Sequence, residues 1–353
     1  MKEKGLMTLV SGMLFLLLVG ATLQNSTSAP APLPKLPKVV SLTTLPEGSA
    51  KYNQTAAFRA VVEQFSPMKL RLESSATDLT RVGPLALKQA EFAALTGGLA
   101  TGAAKGEAIF SKLGPIPIRR VWNGFPFVGA MYSRGDAGFK TIADLKGKRL
   151  PQSPGAYEWS LNNAGILAFG GLTLDDVKIV TVSGIQAALK GPLEGTLDAT
   201  QGSLFSSAVV ELAASPHGVY WFDMPASDVE GWKRQEKVTP WAHPIKIGAG
   251  GLKEGQTITG AGYEDGIYST TAVSEDIVYA FCTAMHKGID TYRKMDKGLL
   301  KWTWEQAYSA EVMPYVPYHQ GAVKFLKEKG VWTSAHEALQ QEGLKAEKGR
   351  LKK

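Results

Sequence analysis

The sequence predicts an α/β protein of two lobes, each a sheet flanked by helices. Strand-like apolar runs alternate with helical segments along most of the chain, which implies parallel sheets with helices on their faces. Two such runs follow one another, joined near Tyr132 and again near Gly262. The length, 353 residues with 38 Gly and 19 Pro, suits a bilobed protein with many turns between short elements. The boundaries this predicts are 1–21 for a leader, 22–36 for a Pro-rich linker, 37–131 with 263–353 for the first lobe, and 132–262 for the second.

Met1-Lys2-Glu3-Lys4 is a basic leader, followed by an apolar run from Leu6 to Ala21. That run is short of the about 20 residues a bilayer span needs. Small residues at Val19-Gly20-Ala21 precede a polar stretch, so a secretory signal peptide cut after Ala21 is expected, with an uncleaved anchor as the other reading. Lys38–Leu42 reads as a buried strand, and the turn PEGSAKY delivers Ser49 and Tyr52 to a helix reaching about Gln64. Met68–Glu73 alternates as a half-buried strand, after which Ser74, Ser75, Thr77 and Asp78 crowd a strand-to-helix junction. A third βα step covers 79–112, and 116–132 holds two strand-like pieces around Asn123-Gly124.

Thr141-Ile142-Ala143-Asp144 has the form of a capping box. Gly147-Lys148-Arg149-Leu150 leads into a strand, followed by the turn Pro151–Ala156 and a helix from Tyr157 to Gly170-Gly171. Val177–Val182 predicts a strand, and Ser183–Gln186 a capping box opening a helix that stops at Gly191. Leu197–Gln201 is another strand, Ser207 starts a helix, and Ser227–Glu230 caps one more. The last third is mainly helical, with an apolar stripe of Ile277, Val278, Phe281, Cys282 and Met285 and further helices at 303–310, 319–329 and 334–347.

Composition excludes several functions. Lys+Arg 39 against Asp+Glu 32 gives a net charge of +7, but no basic block of the kind a dedicated nucleic-acid binder concentrates, so no nucleic-acid partner is expected. A single cysteine, Cys282, rules out an internal disulfide framework and a Cys-built zinc site. Gly97 and Gly102 have the spacing of a phosphate loop, yet Ala103 and Ala104 stand where Lys and Ser/Thr are required. Neither Gly248-Ala249-Gly250 nor Gly260-Ala261-Gly262 completes a dinucleotide fingerprint, and the 5 His form no i, i+4 pair. Ser66-Pro67-Met68-Lys69 matches Ser-x-x-Lys by letters without its partner motifs. No catalytic constellation, metal or cofactor is predicted, and an enzyme using Cys282 is disfavoured because that residue lies on an apolar helix face.

Four stretches carry a family resemblance: Phe139-Lys140-Thr141-Ile142-Ala143-Asp144-Leu145-Lys146-Gly147-Lys148-Arg149-Leu150; Ser153-Pro154-Gly155-Ala156 with Gly170–Val177; Ala187–Lys190 through Gly195–Ala199; and Pro317-Tyr318-His319-Gln320-Gly321-Ala322. Together they resemble the TAXI-type solute-binding subunits of tripartite ATP-independent periplasmic (TRAP) transporters, over about 38–330. Two turns depart from the family pattern, Pro46–Tyr52 and Ser75–Asp78, and so does 240–266. The resemblance implies a type II periplasmic-binding-protein-like fold, two α/β lobes joined by hinge strands. It also implies a periplasmic protein that captures an organic anion and hands it to a TRAP permease. A binding protein of an ABC importer for a small organic acid is the alternative, and a sensor presenting its ligand to a membrane receptor a further one.

The same site follows from general chemistry. Ligands in open α/β sheets sit beyond the carboxyl ends of strands, where helix N-termini offer free N–H groups to a carboxylate. The ligand-binding residues this predicts are Ser49, Tyr52, Ser75, Thr77, Ser153, Gly155, Ala156 and Tyr157 at three such junctions, with Ser183 and Gln201 at the ends of later strands. Trp122, Tyr132, Tyr157 and Trp159 are candidates for an aromatic wall, and Arg134 for pairing with the anion. Ser153 and Ser183 are also plausible as plain helix caps, and Trp122 and Trp159 as packed aromatics. The ligand is expected to be carboxylate or amino-acid-like, with ring-containing acids among the candidates.

Overall fold

The VVSLTT run of Val39–Thr44 (β1) is buried from Val40 onward, and it forms an interior strand of the first sheet because β-branched residues pack well on a covered pleat. Residues 36–248, 252–310 and 316–350 are described in a computed structural model; the expected signal peptide and nearly all of the linker lie outside them. The chain continues through helix α1 (Ala50–Phe65), β2 (Lys69–Ser74), α2 (Asp78–Ala86), β3 (Phe92–Thr96), α3 (Gly97–Lys105) and β4 (Ile118–Asn123). It then builds β5 (Phe127–Arg134), β6 (Arg149–Gln152), α4 (Tyr157–Phe169), β7 (Lys178–Thr181), α5 (Ile185–Glu194), β8 (Ala199–Ser203), α6 (Ser207–Ala214), β9 (Val219–Trp221), α7 (Val229–Glu236), β10 (His243–Ile247) and β11 (Ile258–Tyr263). The last strand is β12 (Asp265–Thr270), followed by α8 (Glu275–Lys287), α9 (Ile289–Met295), α10 (Trp304–Ala307), α11 (Gln320–Glu328) and α12 (Ser334–Arg350).

The fold is α/β and bilobed. The first sheet has the order β2-β1-β3-β12-β4, and the second β10-β11-β5-β8 with β9 also on β5. Strands β6 and β7 form a small parallel pair. In the first sheet β1 runs parallel to β2 and β3, whereas β12 is antiparallel to β3 and β4. Parallel sheets were expected throughout, and the second sheet corrects this: β5 pairs antiparallel with β8, β9 and β11, and β10 with β11. The chain enters this lobe on β5 and leaves on β11; returning beside its own point of arrival forces the two strands into opposite directions. The two strand-like pieces around Asn123-Gly124 are therefore β4 and β5 in different sheets, and β5 belongs to the second sheet along its whole length.

Burial follows the strand period. On β5, Met131 packs into one apolar cluster with Ile166 and Leu167, while Val128, Ala130 and Tyr132 pack into another with Ile185 and Leu189. In the first lobe, Phe58, Val61, Phe281 and Met285 cover one face of the sheet, and Leu99, Ala100 and Ala103 the other. Local signals are partly overridden in α5. It passes Gly191 and Pro192 to end at Gly195, and its N-cap is Gly184 with no side-chain bond, so Ser183 caps nothing. Among the described residues no helix is long and apolar enough to cross a membrane.

Candidate functional site

Beyond the ends of β1 and β3, first-sheet residues face second-sheet residues across an inner cavity of about 50 Å3. Lys51 in the first turn of α1, Asp78 and Arg81 in the first turns of α2, and Thr96 at the end of β3 come from one side. Glu158, Trp159 and Asn162 of α4, Ile185 of α5, Gln201 of β8, Tyr263 of β11 and Phe127 of β5 come from the other. The chemistry concentrates here because helices that follow strands bring their first turns to one edge of the sheet.

Four charged residues of the wall, Lys51, Asp78, Arg81 and Glu158, carry paired contacts, that of Lys51 being with Asp265 outside the lining. Lys51 Nζ donates to Asp265, and the two are 4% and 1% exposed. Burial lowers the Lys51 pKa against the opposing pull of Asp265, and burial raises that of Asp265. An Arg81 Nη2 donates to Asp78 Oδ1 at 2.6 Å, and the other carboxylate oxygen of Asp78 accepts the backbone N–H of Glu158 at 2.9 Å. Burial pushes the Asp78 carboxyl upward, against the Arg81 charge. Glu158 Oε1 in turn accepts the backbone N–H of Leu99 at 3.0 Å, and Thr96 Oγ1 donates to its other oxygen. Burial, then the neighbouring Asp78 charge, raises Glu158 to about 7.

These bonds cross the cleft. With Asp78 N–H donating to Gly155 O at 2.7 Å and Ser207 N–H to Gly48 O at 3.3 Å, they hold the lobes in a closed arrangement. The first amides of α4 and α3 are thereby filled by the protein's own Asp78 and Glu158. Free helix-end amides were expected to hold an anion; instead the unmet polar atoms are on side chains. Arg81 Nε, Gln201 Oε1 and Tyr263 OH are buried without a hydrogen-bond partner in the protein. A buried polar atom of this kind calls for a water or a ligand group.

The predicted residues divide accordingly. Gln201 and Trp159 line the cavity, and Asp78 from the second junction does so as well. Ser49 is the N-cap of α1, accepting the Tyr52 N–H at 3.2 Å, while the Tyr52 hydroxyl turns away to Glu47. Thr77 forms a capping box with Thr80, and Ser75 Oγ donates to Thr80 O, so both serve α2. Ser153 is buried and its carbonyl accepts from Ser160, Gly155 gives its carbonyl to Asp78, and Ala156 is the N-cap of α4. Ser183 is exposed. Tyr157 is 36% exposed and lines a neighbouring chamber. Trp122 and Tyr132 are placed differently from the expectation: Trp122 packs in the first-lobe core near Trp304, and Tyr132 lies against Trp221 with its hydroxyl on Leu189 O. Arg134 pairs with Asp136 at the surface. Lys51, Arg81, Glu158 and Tyr263 were missed, although the first three are charged residues in the first turns after predicted strands.

Residues 48–330 match the NMT1-like family. Among solved structures, the periplasmic binding protein BugD is similar at 10% identity and a TM-score of 0.57, covering 89% of this chain and 97% of that one. A structure described as a periplasmic transporter is similar at 13% identity and a TM-score of 0.53, over 86% and 95%. PhnD1 from Prochlorococcus marinus in complex with methylphosphonate is similar at 9% identity and a TM-score of 0.50, over 84% and 99%. The likeness establishes the fold as that of periplasmic binding proteins.

Proposed function

The chain belongs to the NMT1-like family, and from that premise we propose that it is an extracytoplasmic solute-binding protein whose cleft captures an organic acid. Lobe assignment follows the sheets: 36–123 with 265–350 form one lobe, 127–263 the other, and the two short connections between them hinge. The observation that carries the acid reading is the set of unmet polar atoms in a closed cleft, with the Arg81 guanidinium and the Tyr263 hydroxyl as donors suited to a carboxylate. Solute would bridge the lobes and shift the population toward the closed form.

The wall already holds Asp78 and Glu158 against Lys51 and Arg81, with Asp265 paired to Lys51 outside the lining. A monoanion enters such a site most easily when Glu158 keeps its proton, and an amino-acid-like solute when its ammonium group faces Glu158. The partner would be a membrane permease. The stretches 139–150, 153–156 and 317–322 support a TRAP permease; an ABC importer is the other outcome, and the neighbouring gene, permease or ATPase, distinguishes them.

A thermal-shift screen of organic acids tests the reading, since a ligand that binds only the folded form raises Tm. The sharper probe is Tyr263→Phe. Its hydroxyl has no protein partner, so unliganded stability should stay within about 0.5 kcal/mol. Affinity for a hit should fall about 5–30-fold, the loss of one hydrogen bond. Unchanged affinity would remove Tyr263 from the site, and no hit among acids would sink the acid reading.

A further inference from the structure

An inner cavity of about 50 Å3 holds little more than the polar head of a solute. A second chamber of about 370 Å3 lies beside it, between α3 and the turn carrying Pro240 and Trp241. The two spaces share a seam. A Cβ placed on Gly98 would stand 2.6 Å from Glu158 Oε1 and 3.0 Å from Trp241, so Gly98, Glu158 and Trp241 meet where one space ends and the other begins. Gly98 and Trp241 line the outer chamber, and Glu158 lines the inner one. The chamber's remaining walls include Tyr157, Thr101, and Lys105 with Glu107, whose charges pair with each other at 3.9 Å; Thr101 is 7% exposed and its Oγ1 has no hydrogen-bond partner.

We propose that the outer chamber is a subsite for the uncharged tail of the solute, and that the solute class is an amphiphilic monocarboxylate with a ring or short aliphatic extension. This rests on the acid reading of the inner cavity. Trp241 and Tyr157 offer aromatic surface to the tail, the Thr101 hydroxyl can meet a single polar atom on it, and the seam at Gly98 is where the extension passes Glu158. Glycine at position 98 lets Glu158 and Trp241 close the seam, since a Cβ there would clash with both, and the extension passes when the Glu158 side chain moves aside.

Calorimetric titration of the full chain with acetate, phenylacetate and hydrocinnamate tests this. Each buried methylene should raise affinity about fourfold, and hydrocinnamate should exceed acetate by more than about tenfold. Gly102→Leu fills the chamber from α3, where a Cβ meets only Phe110 Cε2 at 3.9 Å. It should bind acetate as the parent does and lose the gain from the tail. Should that variant melt well below the parent, Tyr157→Ala supplies the same test by removing aromatic surface that lines the outer chamber and not the inner one. Equal affinity for all three acids, or a tail gain that survives both variants, overturns the subsite while leaving the inner site standing. Failure of all three acids to bind overturns the monocarboxylate class and the subsite with it, and the acid reading falls only if the wider acid screen also gives no hit.

Discussion

Glu158 illustrates how one side chain acquires a role from what surrounds it. It is 5% exposed, and its carboxylate faces Thr96 and the Leu99 amide on one side and the Asp78 carboxylate with Arg81 on the other. Its pKa rises from the ordinary 4.5 to about 7, so the folded chain holds this proton more tightly than the unfolded one. The sign follows: the stabilisation is complete below pH 4.5 and is lost as pH climbs through about 7. Glu158→Gln keeps an acceptor oxygen for the Leu99 N–H, turns an NH2 donor toward the Thr96 hydroxyl, which can rotate to accept it, and cannot titrate. Between pH 4.5 and 8 the parent should lose about 3 kcal/mol relative to this variant in urea unfolding. Asp265 is shifted in the same sense, is common to both proteins and cancels in the difference, whereas Asp78, coupled to the Glu158 charge, titrates more easily in the variant. A pH-independent difference would mean that Glu158 is hydrated. Trp122 makes the opposite case: 1% exposed and packed among Trp304 and Phe325, it belongs to the core. Trp122→Ala should cost about 3–5 kcal/mol in unfolding while leaving solute affinity of the folded protein unchanged.

Helix starts show how far a local motif can be trusted. Ser49 and Thr77 precede α1 and α2 and bond the amides their positions suggest. Thr141 and Asp144 also close a capping box, around a single 3-10 turn. Ser183 has the same lettering and caps nothing, because Gly184 takes the N-cap position of α5. Ser49→Ala should therefore cost about 1 kcal/mol, whereas Ser183→Ala should stay within about 0.5 kcal/mol in the same denaturant titration. A similar contrast holds where helices meet. A Cβ on Gly321 would come within 2.9 Å of the Tyr279 backbone nitrogen, so the Gly-Ala pair of 321–322 is there because α11 lies close against α8. That stretch was one of the four carrying the family resemblance, and its structural task is this helix contact, with His319 capping α11.

Across the whole molecule, closure is the property to measure. The amides of Asp78, Leu99 and Glu158 donate across the cleft, so they are protected only while the lobes are together. Solute should slow hydrogen exchange at these three amides in concert and leave β1 unaffected. Independent changes at the three would argue against a single hinged motion. Periodicity, capping and turn residues are short-range properties, which is why β1, β2, α1, α4, α8, α11 and α12 and the two-lobed α/β architecture could be read from the chain alone. Strand direction in the second sheet, the face chosen by Trp122 and Tyr132, and the pairing of Lys51 with Asp265 across 214 positions could not. Each depends on which distant segment arrives alongside, and a side chain's burial, partner and charge state exist only after that arrival.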